Sequence, residues 1–433
     1  MGLYNMNSKT YKYKSKGVQK FFHLKEADIF VFTVLYHKRY LTTRQITQLY
    51  SAFEGRDFSE ASVFTKLNRY SQYGAILTKK IEKRDDSITK RATFSLKERM
   101  IEYLQEIGKI PEGSSKRRYS HSNSLHTLCS REVLVRTLLE VTKKTYNNET
   151  LYELDIRSYH QKLKKIEIED AGLAMVPDEH ISYQDKNIYI EMDMCKETNS
   201  TLVEKVGKYV EYAQKTKDNV TAVFVMYDKS MFLAEEAEPP YIRMKNLLFS
   251  MREYHELLMT LPNLNMYVCS LKDAGDVISD IILSKDDNQN FEQDIFLPLS
   301  RRTVGDADWR YAFVEAVQTF KEPIDGGLRR TYRRDKDVIQ DFFFVFGNEN
   351  DYRMIARLDD VVFSRREGDD GVPLVVIYPN REKPRDILLM DIYENVLLLS
   401  IQNESVNIDT DEQIMVRTAN NIHPKRRKLV ELY

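Results

Sequence analysis

Four side chains between residues 176 and 212 have the types and spacing for phosphodiester chemistry: Asp178, Glu191, Asp193 and Lys205. Period-two alternation along 188–194 puts Ile188, Ile190, Met192 and Met194 on one face of a predicted strand. Tyr189, Glu191 and Asp193 fall on the other. Two carboxylates on one face of an otherwise apolar strand are costly unless they meet water, a cation or hydrogen-bond donors. Asp178 follows Pro177, which disfavours helix at the preceding residue and suits a strand entry or bend beside that face. Three such acids can offer oxygen ligands to Mg²⁺ or Mn²⁺, with water completing the shell. A metal held there polarises a phosphate and lowers the pKa of an attacking water.

The predicted helix over 198–215 supplies the fourth group. Glu204, Lys208, Glu211 and Lys215 form a solvated stripe with favourable Glu-to-Lys pairs at i,i+4. Lys205, Tyr209 and Tyr212 flank the apolar face of Leu202, Val206 and Ala213. A lysine at that margin can reach a sheet edge, where it would stabilise a phosphate or orient water. A plainer reading stands beside this one: Glu-x-Asp is common at strand ends, and Pro-Asp is often only a turn.

A DNA-binding unit is expected in front of these residues. Residues 27–37 form an apolar-rich helical stretch, and Thr42 with Gln45 makes a capping box. Asp57 with Glu60 makes a second box, opening a helix that turns Val63, Phe64, Leu67 and Tyr70 inward and ends at Gly74. A hairpin follows over 76–84 and 88–96, then a helix over 97–107. Three helices, a hairpin and a helix give the order of a winged helix-turn-helix. Ser62, Thr65, Lys66, Arg69 and Gln72 lie outward on its third helix and can enter a major groove. Lys79, Lys80, Lys83, Arg84, Lys90 and Arg91 charge the hairpin, against the DNA backbone or minor groove. The basic tail around Lys9–Lys16 interleaves tyrosines with lysines, as salt-sensitive, nonspecific attachment requires. The competing reading is a winged helix used for protein contacts.

Charge supports the first reading. Residues 1–119 carry a net +12 and residues 120–433 a net −13, so a total of −1 hides a basic front and an acidic body. Cys129, Cys195 and Cys269 are far apart with no CxxC spacing, which excludes a zinc site or disulfide framework of ordinary spacing. His121 and His126 have no spaced metal-ligand partners, and a structural role is expected for them. No paired-histidine motif of rolling-circle relaxases and no GxxxxGK[ST] loop is present, which argues against those chemistries. No signal-peptide core or ~20-residue apolar span is found, so a cytoplasmic setting without membrane contact is expected.

The expected fold is α/β (α+β) in three parts. After a tail over 1–23 come the winged helix over 24–110 and a turn-rich basic linker over 111–120. A central restriction-endonuclease-like α/β domain is expected over 121–289: a helix over 121–144, strands near 151–157, 165–169, 180–184 and 188–194, then the 198–215 helix. A strand over 220–227, a helix over 241–261 and a strand over 266–271 complete it. A mixed α/β domain is expected over 290–433, with a helix over 309–320 and strands over 338–347, 354–363, 373–378 and 396–402.

From Ile29 to Tyr227 the chain resembles the replication-relaxation family of plasmids and integrative elements. The resemblance rests on the winged helix and on Ser124-Leu125-His126-Thr127-Leu128. It continues through Val176-Pro177-Asp178, Ile190-Glu191-Met192-Asp193 and Leu202-x-x-Lys205-x-x-x-Tyr209. It implies a role in replication or DNA relaxation of a mobile element and a PD-(D/E)xK nuclease fold for the second domain. That pattern expects lysine two residues after the acid, where this chain has Asp193. Lys205 is then a migrated substitute, or the fold is kept for binding and cleavage is lost. Two functions are therefore expected as alternatives: a Mg²⁺- or Mn²⁺-dependent nickase, or a noncatalytic regulator or relaxosome accessory on the same scaffold. Double-stranded DNA, replication or relaxosome proteins and a second copy in a homodimer are the expected partners.

Overall fold

The computed structural model describes residues 10–14, 21–80, 92–112, 125–146, 149–156, 176–231 and 240–283. Beyond these it describes 309–314, 326–332, 338–346, 351–364, 374–378, 396–401 and 414–418. The fold is mixed α/β and divides into two compact units. The first comprises residues 1–197, 211–240 and 269–283; the second comprises 198–210, 241–268 and 284–433.

The first unit opens with an antiparallel ribbon, β1 (Thr10–Lys14) and β2 (Phe21–Lys25). Helix α1 (Glu26–Lys38) follows and buries Ile29, Val31, Phe32, Val34 and Leu35. Its near-continuous apolar surface suits a helix packed on several sides. The short strand β3 (Leu41–Thr42) leads into α2 (Thr43–Glu54). Here the Thr42 hydroxyl accepts the Gln45 N–H at 3.2 Å, and the Gln45 side chain accepts the Thr42 N–H at 3.0 Å. The expected capping box is present. Helix α3 (Glu60–Gln72) starts later than the sequence suggested, because Ser59 rather than Asp57 is the cap and accepts the Ser62 N–H. Gly74, at φ 75°, ends that helix in the left-handed region where a side chain is strained. Strands β4 (Ile76–Lys80) and β5 (Ala92–Leu96) complete a three-stranded sheet of order β3-β5-β4, and α4 (Glu98–Glu106) follows it.

Helix α5 (Leu125–Thr145) is the pivot of this unit, with Leu128, Val133, Leu134, Val135, Leu138 and Val141 all buried. It receives α2 through Gln45 Nε2, which donates to the Leu128 carbonyl at 3.0 Å. The stretch expected as a strand near 151–157 is instead the short helix α6 (Glu149–Glu153), followed by a single bridge from Asp155 to Ser182. The strand expected over 165–169 lies outside the described residues. Strands β6 (Glu179–Tyr183), β7 (Lys186–Asp193), β8 (Asn219–Met226) and β9 (Leu264–Ser270) form a sheet in that order, with β6–β7 antiparallel and β7–β8 parallel. Ile188 through Asp193 are buried on both faces of β7, as expected of a strand with a parallel neighbour inside a covered sheet. Helix α7 (Asn199–Lys215) precedes β8.

In the second unit the expected 241–261 helix is interrupted. Helix α8 (Tyr241–Met251) and helix α9 (His255–Thr260) are separated by a 3₁₀ turn at Arg252–Tyr254. Helix α10 (Ala274–Leu283) returns to the first unit. Further along, two expectations are reversed. Trp309–Val314 is strand β10 rather than the start of a helix, paired in register with β11 (Gly326–Tyr332). The expected strand over 354–363 lies in helix α11 (Tyr352–Ser364). Its buried Tyr352, Ile355, Ala356 and Leu358 recur at helical spacing, a pattern that a short apolar run does not distinguish from a buried strand. Strands β12 (Val338–Phe346), β13 (Leu374–Tyr378), β14 (Val396–Ile401) and β15 (Ile414–Thr418) extend β10 and β11 into a six-stranded sheet. It is parallel only at β12–β13–β14.

Candidate functional site

Helix α3 buries Val63, Leu67 and Tyr70 and leaves Ser62, Thr65, Arg69 and Gln72 exposed or partly exposed. Phe64, expected inward, is only partly covered and meets Phe94 of the wing edge-on. Lys66 does not share the outward face. Its Nζ lies 2.5 Å from Asp28 Oδ1 and 4.2 Å from the centroid of the Tyr50 ring. Asp28 is buried and also accepts the Tyr50 hydroxyl at 2.7 Å and the Lys25 N–H at 2.8 Å. Burial, and after it the Asp28 charge, push the Tyr50 and Tyr70 phenols above their ordinary range. A buried carboxylate among tyrosines needs a cation, and Lys66 supplies it. Lys79 and Lys80 end β4 opposite Thr93 and Ala92. Lys83, Arg84, Lys90 and Arg91 lie outside the described residues.

The acidic residues gather around β7. Asp178 N–H donates to the Ile190 carbonyl at 3.0 Å, and Met192 N–H donates to Asp178 Oδ2 at 2.8 Å. Asp178, just before β6, is thus bonded to both chain neighbours of Glu191. Its side chain takes the place of the next strand carbonyl. Glu191 and Asp193 are both buried, and Asp193 Oδ1 accepts the Cys195 N–H at 2.9 Å. The structure therefore leaves two of the three carboxylates bonded to main-chain amides. Among the described residues, no group of three or more His, Cys, Asp or Glu side chains is placed to hold a metal ion. Lys205 lies half-buried on α7, in the part of that helix belonging to the second unit.

The sequence reading missed His126 as a member of this cluster. Its Nε2 is 3.0 Å from the Met192 carbonyl oxygen and 3.3 Å from Asp178 Oδ2. Carried on the first turn of α5, it ties that helix to the strand edge at Asp178. The only hint in the sequence is its place in the helix-opening run 124–128. Also missed were Lys38, whose Nζ donates to the buried Glu179 carboxylate, and Arg131. Arg131 donates to the Tyr40 carbonyl at 2.8 Å and stacks 3.7 Å from that ring. These contacts fasten α1 and its C-terminal turn to α5 and β6, the elements that hold His126 and Asp178.

Among the described residues, no helix is long and apolar enough to cross a membrane. No curated protein matches the chain. The profile of one family does, over residues 32–225, which run from α1 through the three-stranded sheet, α5 and β7 to β8. Over that stretch the chain is similar to the replication-relaxation family.

Proposed function

We propose that the chain is a double-stranded-DNA-binding protein of a mobile element, whose winged helix seats α3 in the major groove. The observation that carries this reading is the division of α3. Val63, Leu67 and Tyr70 are committed to the core, while Ser62, Thr65, Arg69 and Gln72 are left facing outward. An arginine with hydroxyl and amide side chains is suited to base edges and phosphates alike. Replacing Arg69 and Gln72 with Ala should weaken binding to the element's DNA at least tenfold in an electrophoretic or anisotropy titration. Unchanged affinity would remove α3 as the reading helix.

A second reading, divalent-metal-dependent nicking of that DNA, is favoured by one observation: Asp178 is bonded to Ile190 and Met192, the two residues that flank Glu191. Asp178, Glu191, Asp193 and Lys205 are its candidate residues, with Mg²⁺ or Mn²⁺ as the ion. Purified protein incubated with supercoiled plasmid and either ion separates it from the noncatalytic role. Nicking that disappears in both Asp178→Asn and Glu191→Gln supports the enzyme. Absence of nicking by the unaltered protein, or equal activity in the variants, leaves a binding scaffold.

A further inference from the structure

We infer that the β1–β2 ribbon is a second, built DNA-backbone contact that extends the footprint of α3; the inference rests on the DNA-binding reading above. In the sequence, the stretch around Lys9–Lys16 reads as a basic tail with tyrosines interleaved. In the structure, Tyr11 and Tyr13 are buried, paired across the ribbon with Leu24 and Phe22. The other face is formed by the pairs Thr10–Lys25, Lys12–His23 and Lys14–Phe21, all exposed. It holds three lysines, a histidine and no acid. Among the described residues, none of the three lysines has an ion pair. Positive charges grouped on one face of a strand pair repel one another unless a polyanion answers them.

The ribbon is also held in a fixed place. Phe22 stacks on Tyr70 of α3 and on Tyr73 just beyond it, at 5.6 and 4.9 Å between ring centroids. Tyr13 meets Phe22 and Tyr103 of α4 edge-on at 5.0 and 5.3 Å. The ribbon's buried face thus packs on the C-terminal end of the helix that carries Arg69 and Gln72, and the cationic face is turned to the opposite side. Lys12 and Lys14 are two residues apart on one strand, ~7 Å, a separation suited to neighbouring phosphates on one DNA strand. Phe21, 55% exposed beside Lys14, marks its outer end.

The test is a salt titration of binding to a labelled random-sequence duplex, comparing the full chain with Lys12→Gln/Lys14→Gln/Lys25→Gln and with Arg69→Ala. For every phosphate no longer neutralised, the slope of log K against log salt becomes shallower by about 0.9, so the triple variant should be shallower by about 2 to 3. Its melting temperature should be unchanged, since the three side chains point away from the core. The triple Arg variant should restore the slope. Should the triple Gln variant bind with unchanged slope while Arg69→Ala binds weakly, the ribbon proposal fails and α3 stands; the face would then serve an acidic protein segment. A loss confined to the triple variant upholds the ribbon and removes α3. If neither variant differs from the unaltered chain, both readings fall.

Discussion

Lys38, the last residue of α1, donates from Nζ to the carboxylate of Glu179, the first residue of β6, and both side chains are buried, at 0% and 6% exposure. This pair joins α1 to β6 one residue from Asp178. Taking two charges out of water is unfavourable, and the pair holds only while each has its partner. The buried guanidinium of Arg131 lies close enough to act on Glu179 as a second cation. Burial lowers its pKa, and Tyr40 and Glu179 offset part of that effect.

Breaking the pair should therefore be asymmetric. Glu179→Gln leaves Lys38 and Arg131 without their acid and should destabilise by about 3–5 kcal/mol. Lys38→Met leaves Glu179 the field of Arg131 and should cost less. The double variant Lys38→Met/Glu179→Gln should recover much of the loss. Urea unfolding of the four proteins measures the cycle. Single-variant effects below about 1 kcal/mol would show that the pair does not hold the two parts together.

Lys66 and Arg69, three residues apart on α3, should separate by assay. Lys66→Ala strips the cation from buried Asp28 and should lower stability by about 1–3 kcal/mol. Its effect on DNA affinity, measured on the folded fraction at low temperature, should be small. Arg69→Ala should do the reverse. A Lys66 variant of full stability but poor DNA binding would return that lysine to the groove face.

Thiol chemistry should distinguish the three cysteines. Burial pushes the Cys129 and Cys269 thiols well up, with Glu132 and Asp228 adding to the shift at Cys129, and Asp273 and Asp228 at Cys269. Cys195 is exposed. In the native protein a maleimide should modify Cys195 first, with the other two reacting only after unfolding. The same shifts fix the sign of an alkaline effect. Above the ordinary thiol pKa of about 8.5 the unfolded chain releases these protons while the folded chain keeps them, so stability should fall as pH rises. The raised phenols of Tyr50 and Tyr70 continue the fall above about 10. A urea midpoint that holds steady from pH 7 to pH 10 would contradict this.

What the residues determine alone is local. Thr42 and Gln45 are three apart, so their reciprocal cap follows from spacing, and the apolar face of α3 follows from helical period. The strand over 188–193 is legible from its composition. The tertiary structure decides the partners. Asp28 meets Lys66, Lys38 meets Glu179 and His126 meets Asp178 across separations of 38, 141 and 52 residues, and no periodicity encodes which elements come to lie together. Lys66 fits the outward pattern of its helix, yet the unmet charge of a buried carboxylate draws it inward. Tyr11 and Tyr13 have the look of tail aromatics in the sequence, and only a second strand gives them a core to enter. Helix α11 escapes recognition because buried helices and buried strands present the same short apolar runs. Charge balance and packing are settled only among neighbours in space, and those the chain acquires on folding.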